Sequence, residues 1–136
     1  MKHSLLVIAT AFAALVLVSS AAGQTGAIRA TVPFDFIVGQ QTLPAGDYKV
    51  ALQGTTLLLT RLDGPGSAFV MYSLTGHNRD ASPRLLFHRY GNRSFLSEAW
   101  ITGMGHELSK SSQELEYART ETVRRTEVMA SAAPIR

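Results

Sequence analysis

The chain has 136 residues, and its 13 Lys and Arg against 10 Asp and Glu give a formal net charge of +3. So small a positive excess does not favour nucleic acid as a partner. The absence of cysteine excludes disulfides and thiolate metal ligands.

The N-terminal segment has the three parts of a secretory signal. Lys2 supplies one positive charge, the apolar run Leu5–Val18 follows, and small residues come next. As a helix this run would be about 21 Å long, which is short of a hydrocarbon core of about 30 Å. We therefore predict a signal peptide over residues 1–22, cleaved near Gly23. The protein would be periplasmic or extracellular and would not span the membrane after cleavage.

Roughly 114 residues remain after cleavage, which is the size of one domain. Apolar residues alternate with other residues from Ile28 to Val38, a period typical of a strand with one face on a core. Pro33 has no amide hydrogen, so it makes this segment an edge strand or bends it into two. Five further strand candidates follow at residues 48–52, 56–62, 68–74, 84–90 and 95–101.

Short turn-forming segments join these candidates, and short connections favour antiparallel pairing. The strongest turn signal is Asp63-Gly64-Pro65-Gly66. We predict a mainly β fold over residues 23–110, a six-stranded antiparallel meander forming a small barrel or a sandwich. The sequence leaves these two architectures open.

The composition changes after Gly105. Ser111 and Glu114 have the spacing of a capping box, which predicts a charged C-terminal helix over residues 111–129. Residues 130–136 are predicted to be a disordered tail.

Two stretches carry a family resemblance. They are VPFDFIVG continued by LPAGDYKV, from Val32 to Val50, and RYGNRSFLSEAW from Arg89 to Trp100. In order and spacing they resemble a group of small secreted, uncharacterised proteins from acidobacteria and related soil bacteria. The resemblance implies bacterial export and a compact β domain, and it implies no reaction and no residue role.

Arginines dominate the segment from His77 to Arg93. Guanidinium groups bind carboxylate and phosphate in a bidentate manner and stack on aromatic rings. The candidate binding residues are Arg79, Arg84, Arg89, Arg93 and Tyr90. In the alternative interpretation, Arg89 pairs with Glu98 across a hairpin while Phe87 and Tyr90 fill the core.

Signals for catalysis are weak. The histidines His77, His88 and His106 lack the close spacing of a metal site. No nucleophile elbow surrounds a serine, and Gly103-Met104-Gly105 reads as a backbone bend. A carboxylate pair for glycoside hydrolysis would most plausibly join Glu98 to Glu107 or Asp35. We therefore predict no metal and no cofactor, and we assign no catalytic residue from the sequence.

The sequence favours an exported, non-enzymatic β domain that binds a partner or an anionic envelope component. One alternative is a small hydrolase or metal-dependent enzyme that uses a histidine with a carboxylate. Another is a structural subunit whose C-terminal helix reaches a neighbour.

Overall fold

The structure is a computed structural model that describes residues 26–133. The predicted signal peptide and the last three residues of the predicted tail lie outside the described residues. In this range, no helix has the length and apolar character needed to cross a membrane.

The described chain forms ten strands and one helix. The strands are β1 (Ala27–Val32), β2 (Phe36–Val38), β3 (Gln41–Leu43), β4 (Gly46–Gln53), β5 (Thr56–Arg61), β6 (Ser67–His77), β7 (Arg84–Tyr90), β8 (Arg93–Ile101), β9 (Met104–Leu108) and β10 (Val123–Ala132). The helix, α1 (Ser112–Thr120), lies between β9 and β10.

Eight of the strands close into an antiparallel barrel in the order β8-β7-β10-β1-β4-β5-β6-β9, and β9 pairs back with β8. The short β2–β3 hairpin joins this barrel through a parallel contact at Ile37 and Phe95. The prediction of a mainly β barrel or sandwich with a C-terminal helix is therefore confirmed, and the closed ring of pairings decides for the barrel.

The predicted number of strands was too low. All six candidates are strands, and Pro33 does divide the first into β1 and β2. The others, β3, β9 and β10, were not predicted. Strands β3 and β9 have only three and five residues, which is too short for alternating apolar residues to reveal a strand. The meander is also interrupted, because β6 pairs with β9 and not with β7.

The predicted helix over residues 111–129 was wrong in its second half. Helix α1 ends at Thr120, and Glu121 is already extended, with φ −126° and ψ 149°. Residues 123–132 form β10, which pairs with β7 on one side and β1 on the other. These residues include part of the predicted disordered tail. Strand β7 supplies backbone partners along residues 123–129 and β1 along residues 130–132, and this tertiary pairing overrides the helical preference of the charged side chains.

Alternate residues of the barrel strands point inward and fill the interior. Phe87 is fully buried and meets the rings of Phe34 and Phe36 edge to face at 5.0 and 5.4 Å. Phe36 packs in the same way on Tyr48, so the segment from Phe34 to Phe36 covers one end of the barrel with aromatic side chains.

Helix α1 packs on the outside of the barrel. Its Tyr117 contacts a second apolar cluster formed by Ile37, Tyr90 and Phe95. Tyr90 and Phe95 project from the outer face of β7 and β8, so the helix shields this part of the sheet from solvent.

Candidate functional site

The predicted arginines lie at two ends of the barrel. Arg84 begins β7, and Arg79 lies in the loop before it. Arg89 and Arg93 flank the turn at the other end of the same strand. Arg84 and Arg89 are five residues apart, which is about 17 Å along a strand. The four guanidinium groups therefore do not form one continuous surface.

Arg84 is engaged within the protein. Its Nε lies 3.1 Å from Oε1 of Glu127 on β10, and its guanidinium stacks 4.8 Å from the centre of the Trp100 ring. These contacts bind neighbouring strands together on the outer face.

Arg89 lies on the opposite face of β7, at the aromatic end of the barrel. Its guanidinium is 5.9 Å from the centre of the Phe34 ring, and its Nε donates to the carbonyl of Gly91. It faces Ser94 in the hairpin. Among residues 26–133, no Arg89–Glu98 ion pair occurs, because the hairpin register places Glu98 opposite Leu86.

Arg124, which the sequence analysis did not select, lies directly opposite Arg89 across β10 and β7. Side chains at such positions share a face of the sheet, with Cβ atoms about 5 Å apart. Within the described range, neither arginine has a carboxylate within 4.0 Å. Two like charges opposed in this way destabilise a sheet. The sequence analysis did not find this pair because it placed Arg124 in a helix, where Arg124 would not face a residue of β7.

Arg93 lies on the outer face, 5.3 Å from the ring of Tyr117 on α1. Tyr90 is buried, in agreement with the alternative interpretation of the hairpin. Its hydroxyl donates to Oε2 of Glu114 at 3.0 Å. Burial and this carboxylate raise the pKa of Tyr90 to about 12. Tyr90 is therefore a neutral anchor for α1 and presents no free surface to a ligand.

Glu114 is a buried carboxylate on the first turn of α1. Its amide donates to the side chain of Ser111 at 3.2 Å, so the predicted N-cap forms. Its side chain turns toward the barrel, where Oε2 meets Tyr90 and lies 3.2 Å from Nδ1 of His88. Only one of the two hydrogen bonds of the predicted capping box therefore forms, the one from the Glu114 amide to Ser111. The Glu114 carboxylate instead joins the helix to β7.

His88 has a serine on its other nitrogen. Oγ of Ser97 lies 3.3 Å from Nε2 of His88, while Nδ1 faces Glu114. Serine, histidine and carboxylate thus follow one another in the order of a nucleophile, a base and an orienting acid. Ser97 follows His88 by 9 positions and Glu114 follows Ser97 by 17, so no short motif marks them.

A β-bulge aims Ser97 at His88. The register pairs Leu86 with Glu98 and the next residue, Phe87, with Leu96. Ser97 is the extra residue, and it turns to the outer face, where His88 also lies. Bulges redirect side chains in this manner and are frequent next to active sites.

A surface pocket of about 530 Å³ opens beside this group. It is lined by His88, Ser97, Glu107, Leu108, Ser109 and Lys110. The pocket lies where the edge of β8 is uncovered, because β2 pairs with β8 at Phe95 and β9 pairs only from Glu98 onward.

The other predicted chemical groups are separate from this pocket. His77 ends β6, and His106 is buried inside the barrel, where Nδ1 meets the carbonyl of Ala99 at 3.0 Å. In residues 26–133, no three histidine or carboxylate side chains converge as a metal site. Glu98 and Glu107 do lie opposite each other on β8 and β9. Gly103 is in the turn before β9, with φ +76°.

Comparison of the chain with protein-family models, with curated proteins and with solved structures finds no match.

Proposed function

We propose that this protein is an exported binding protein that holds a phosphate-bearing component of the bacterial envelope at Arg89 and Arg124. The observation that carries the proposal is the direct opposition of these two arginines without a carboxylate partner in the described chain. The predicted signal peptide and the resemblance to secreted bacterial proteins support the location. A role as a subunit of an assembly has no comparable observation in its favour.

The chemistry of the pair favours phosphate. A phosphate monoester carries a charge of about −1.5 to −2 at pH 7 and three acceptor oxygens. Two guanidinium groups side by side match both its charge and its acceptors, and each can donate two parallel hydrogen bonds. Binding would also remove the repulsion between the two arginines.

The surroundings of the pair support a rigid site. Both arginines project from adjacent barrel strands, and Phe34 lies beneath Arg89. The carboxylate of Glu121 lies at the turn that follows β7, where a Cβ built on Gly91 would be 3.0 Å from its Oε2. Glu121 opposes an anionic ligand, so Glu121→Gln is expected to tighten binding.

Sedimentation with vesicles tests the proposal. Vesicles of phosphatidylcholine with phosphatidic acid display phosphate monoesters, and vesicles of phosphatidylcholine alone do not. We expect binding to the first kind only, and a loss of about tenfold in affinity in Arg89→Ala and in Arg124→Ala, since a hydrogen bond to a charged group contributes about 1.5 kcal/mol or more. Competition by inorganic phosphate alone would identify a soluble phosphate as the source of the ligand chemistry.

Arg125→Ala is the matched control, because Arg125 is the next residue of β10 and lies on the opposite face of the sheet, across from His88. It removes the same charge and should retain most of the binding. Equal binding of both vesicle types, or equal losses in all three variants, would contradict a site at Arg89 and Arg124.

A further inference from the structure

The geometry points to a second activity on the opposite face of the sheet, in which Ser97, His88 and Glu114 hydrolyse a carboxylic ester. This inference does not depend on the proposed phosphate binding. It rests on the distances of 3.3 Å from Ser97 Oγ to His88 Nε2 and 3.2 Å from His88 Nδ1 to Glu114 Oε2. Both nitrogens of the imidazole are thus engaged, one by a hydroxyl and the other by a carboxylate.

The carboxylate determines which nitrogen carries the proton. Glu114 Oε2 accepts from Tyr90 at 3.0 Å and is buried with it. A carboxylate oxygen beside Nδ1 accepts a hydrogen bond when the ring proton is on that nitrogen, and this tautomer leaves Nε2 free to accept from Ser97. Glu114 acts through His88, so it is a positioning residue, and Ser97 and His88 are the catalytic residues.

The bulge gives an independent reason to expect a nucleophile at this position. The bulge interrupts the alternation of β8, because Leu96 and Ala99, three residues apart, both point into the barrel. The additional residue turns it outward, toward His88 and the pocket. Only 8 % of Ser97 is exposed, and its hydroxyl meets His88 at the wall of the pocket.

The reaction balances with water as the only co-reactant. Ser97 Oγ attacks the acyl carbon of the ester and its proton passes to His88 Nε2. The bond from the acyl carbon to the alcohol oxygen breaks, and the alcohol leaves with that proton. Water, deprotonated by His88, then attacks the acyl-serine, releases the carboxylic acid and restores the serine. Lys110 lines the pocket and would supply positive charge near the oxyanion.

The first test is labelling with a fluorophosphonate and turnover of p-nitrophenyl acetate by the protein from residue 23 onward. We expect the label on Ser97 by peptide mass spectrometry and a loss of turnover of at least about 100-fold in Ser97→Ala, by analogy with other serine hydrolases. Ser73→Ala, on the exposed outer face of β6, is the control and should keep the full rate.

The second test separates catalysis from folding. Glu114→Gln should lower kcat with little change in KM, while circular dichroism verifies that each variant retains the β spectrum. A wild-type rate no greater than that of Ser97→Ala would overturn the inference, and so would labelling at another residue. Loss of turnover in His88→Ala with full turnover in Ser97→Ala would also overturn it, because the histidine would then act without the serine.

Discussion

The opposed arginines predict that one substitution will raise the stability of the fold and abolish phosphate binding. Arg124→Glu replaces a repulsive pair across β10 and β7 with an attractive one, because the new carboxylate would face Arg89. A cross-strand charge pair contributes about 0.5 kcal/mol in either sense, so the reversal should stabilise the fold by about 1 kcal/mol. The same change removes a positive charge from the proposed phosphate site. We therefore expect higher stability together with lost binding.

Thermal unfolding followed by circular dichroism measures the first effect. For a domain of this size, 1 kcal/mol corresponds to a rise in Tm of about 4 °C. The gain should shrink at about 1 M salt, where the Debye length falls to about 3 Å. Vesicle sedimentation with phosphatidic acid measures the second effect.

Arg125→Glu is the control, with the same change of charge one residue away on the other face. If Arg124→Glu were no more stable than Arg125→Glu at low salt, the repulsion inferred from the register would be refuted. If Arg124→Glu were stabilised and still bound phosphatidic acid normally, the charge argument would hold and the binding site would lie elsewhere.

Four further predictions concern the fold. Gly105→Ala should destabilise by about 1–3 kcal/mol in urea denaturation, because the added Cβ would lie 2.8 Å from Cζ2 of Trp100; an unchanged midpoint would contradict this packing. Phe87→Ala should cost about 3–5 kcal/mol, since the ring is fully buried among aromatic neighbours, and a loss under 1 kcal/mol would be inconsistent with that. The pKa of Tyr90, raised to about 12, means that the unfolded chain ionises first; stability should be constant below pH 10 and fall between pH 10 and 12, and Tyr90→Phe should fall less steeply. Deletion of residues 123–133 should abolish cooperative unfolding, because β1 and β7 would lose the strand between them; a truncated protein with a sharp transition would argue against barrel closure.

Local patterns were sufficient for the strands that alternate clearly. The segment 84–90 coincides with β7 from Arg84 to Tyr90, and the turn at Asp63-Gly64-Pro65-Gly66 does separate β5 from β6. In these places the period of two and the turn residues agree with the tertiary environment, so neighbouring residues carry enough information.

The last strand shows where such reasoning failed. The sequence around Arg124 and Arg125 indicates a charged helix, yet pairing with the edge of β7 makes both residues part of β10. The prediction missed Arg124 for the same reason, since its relation to Arg89 exists only once the two strands pair.

The sequence by itself determined that the chain between Ile28 and Ile101 forms short strands with one apolar face, because side-chain period and turn chemistry act over a few residues. Tertiary structure alone decided that the strands close into a barrel. It also decided that the arginines separate to two ends, and that Ser97, His88 and Glu114 meet. Pairing register, a bulge and the docking of a helix set these contacts, and each joins residues whose separation along the chain leaves no local signal.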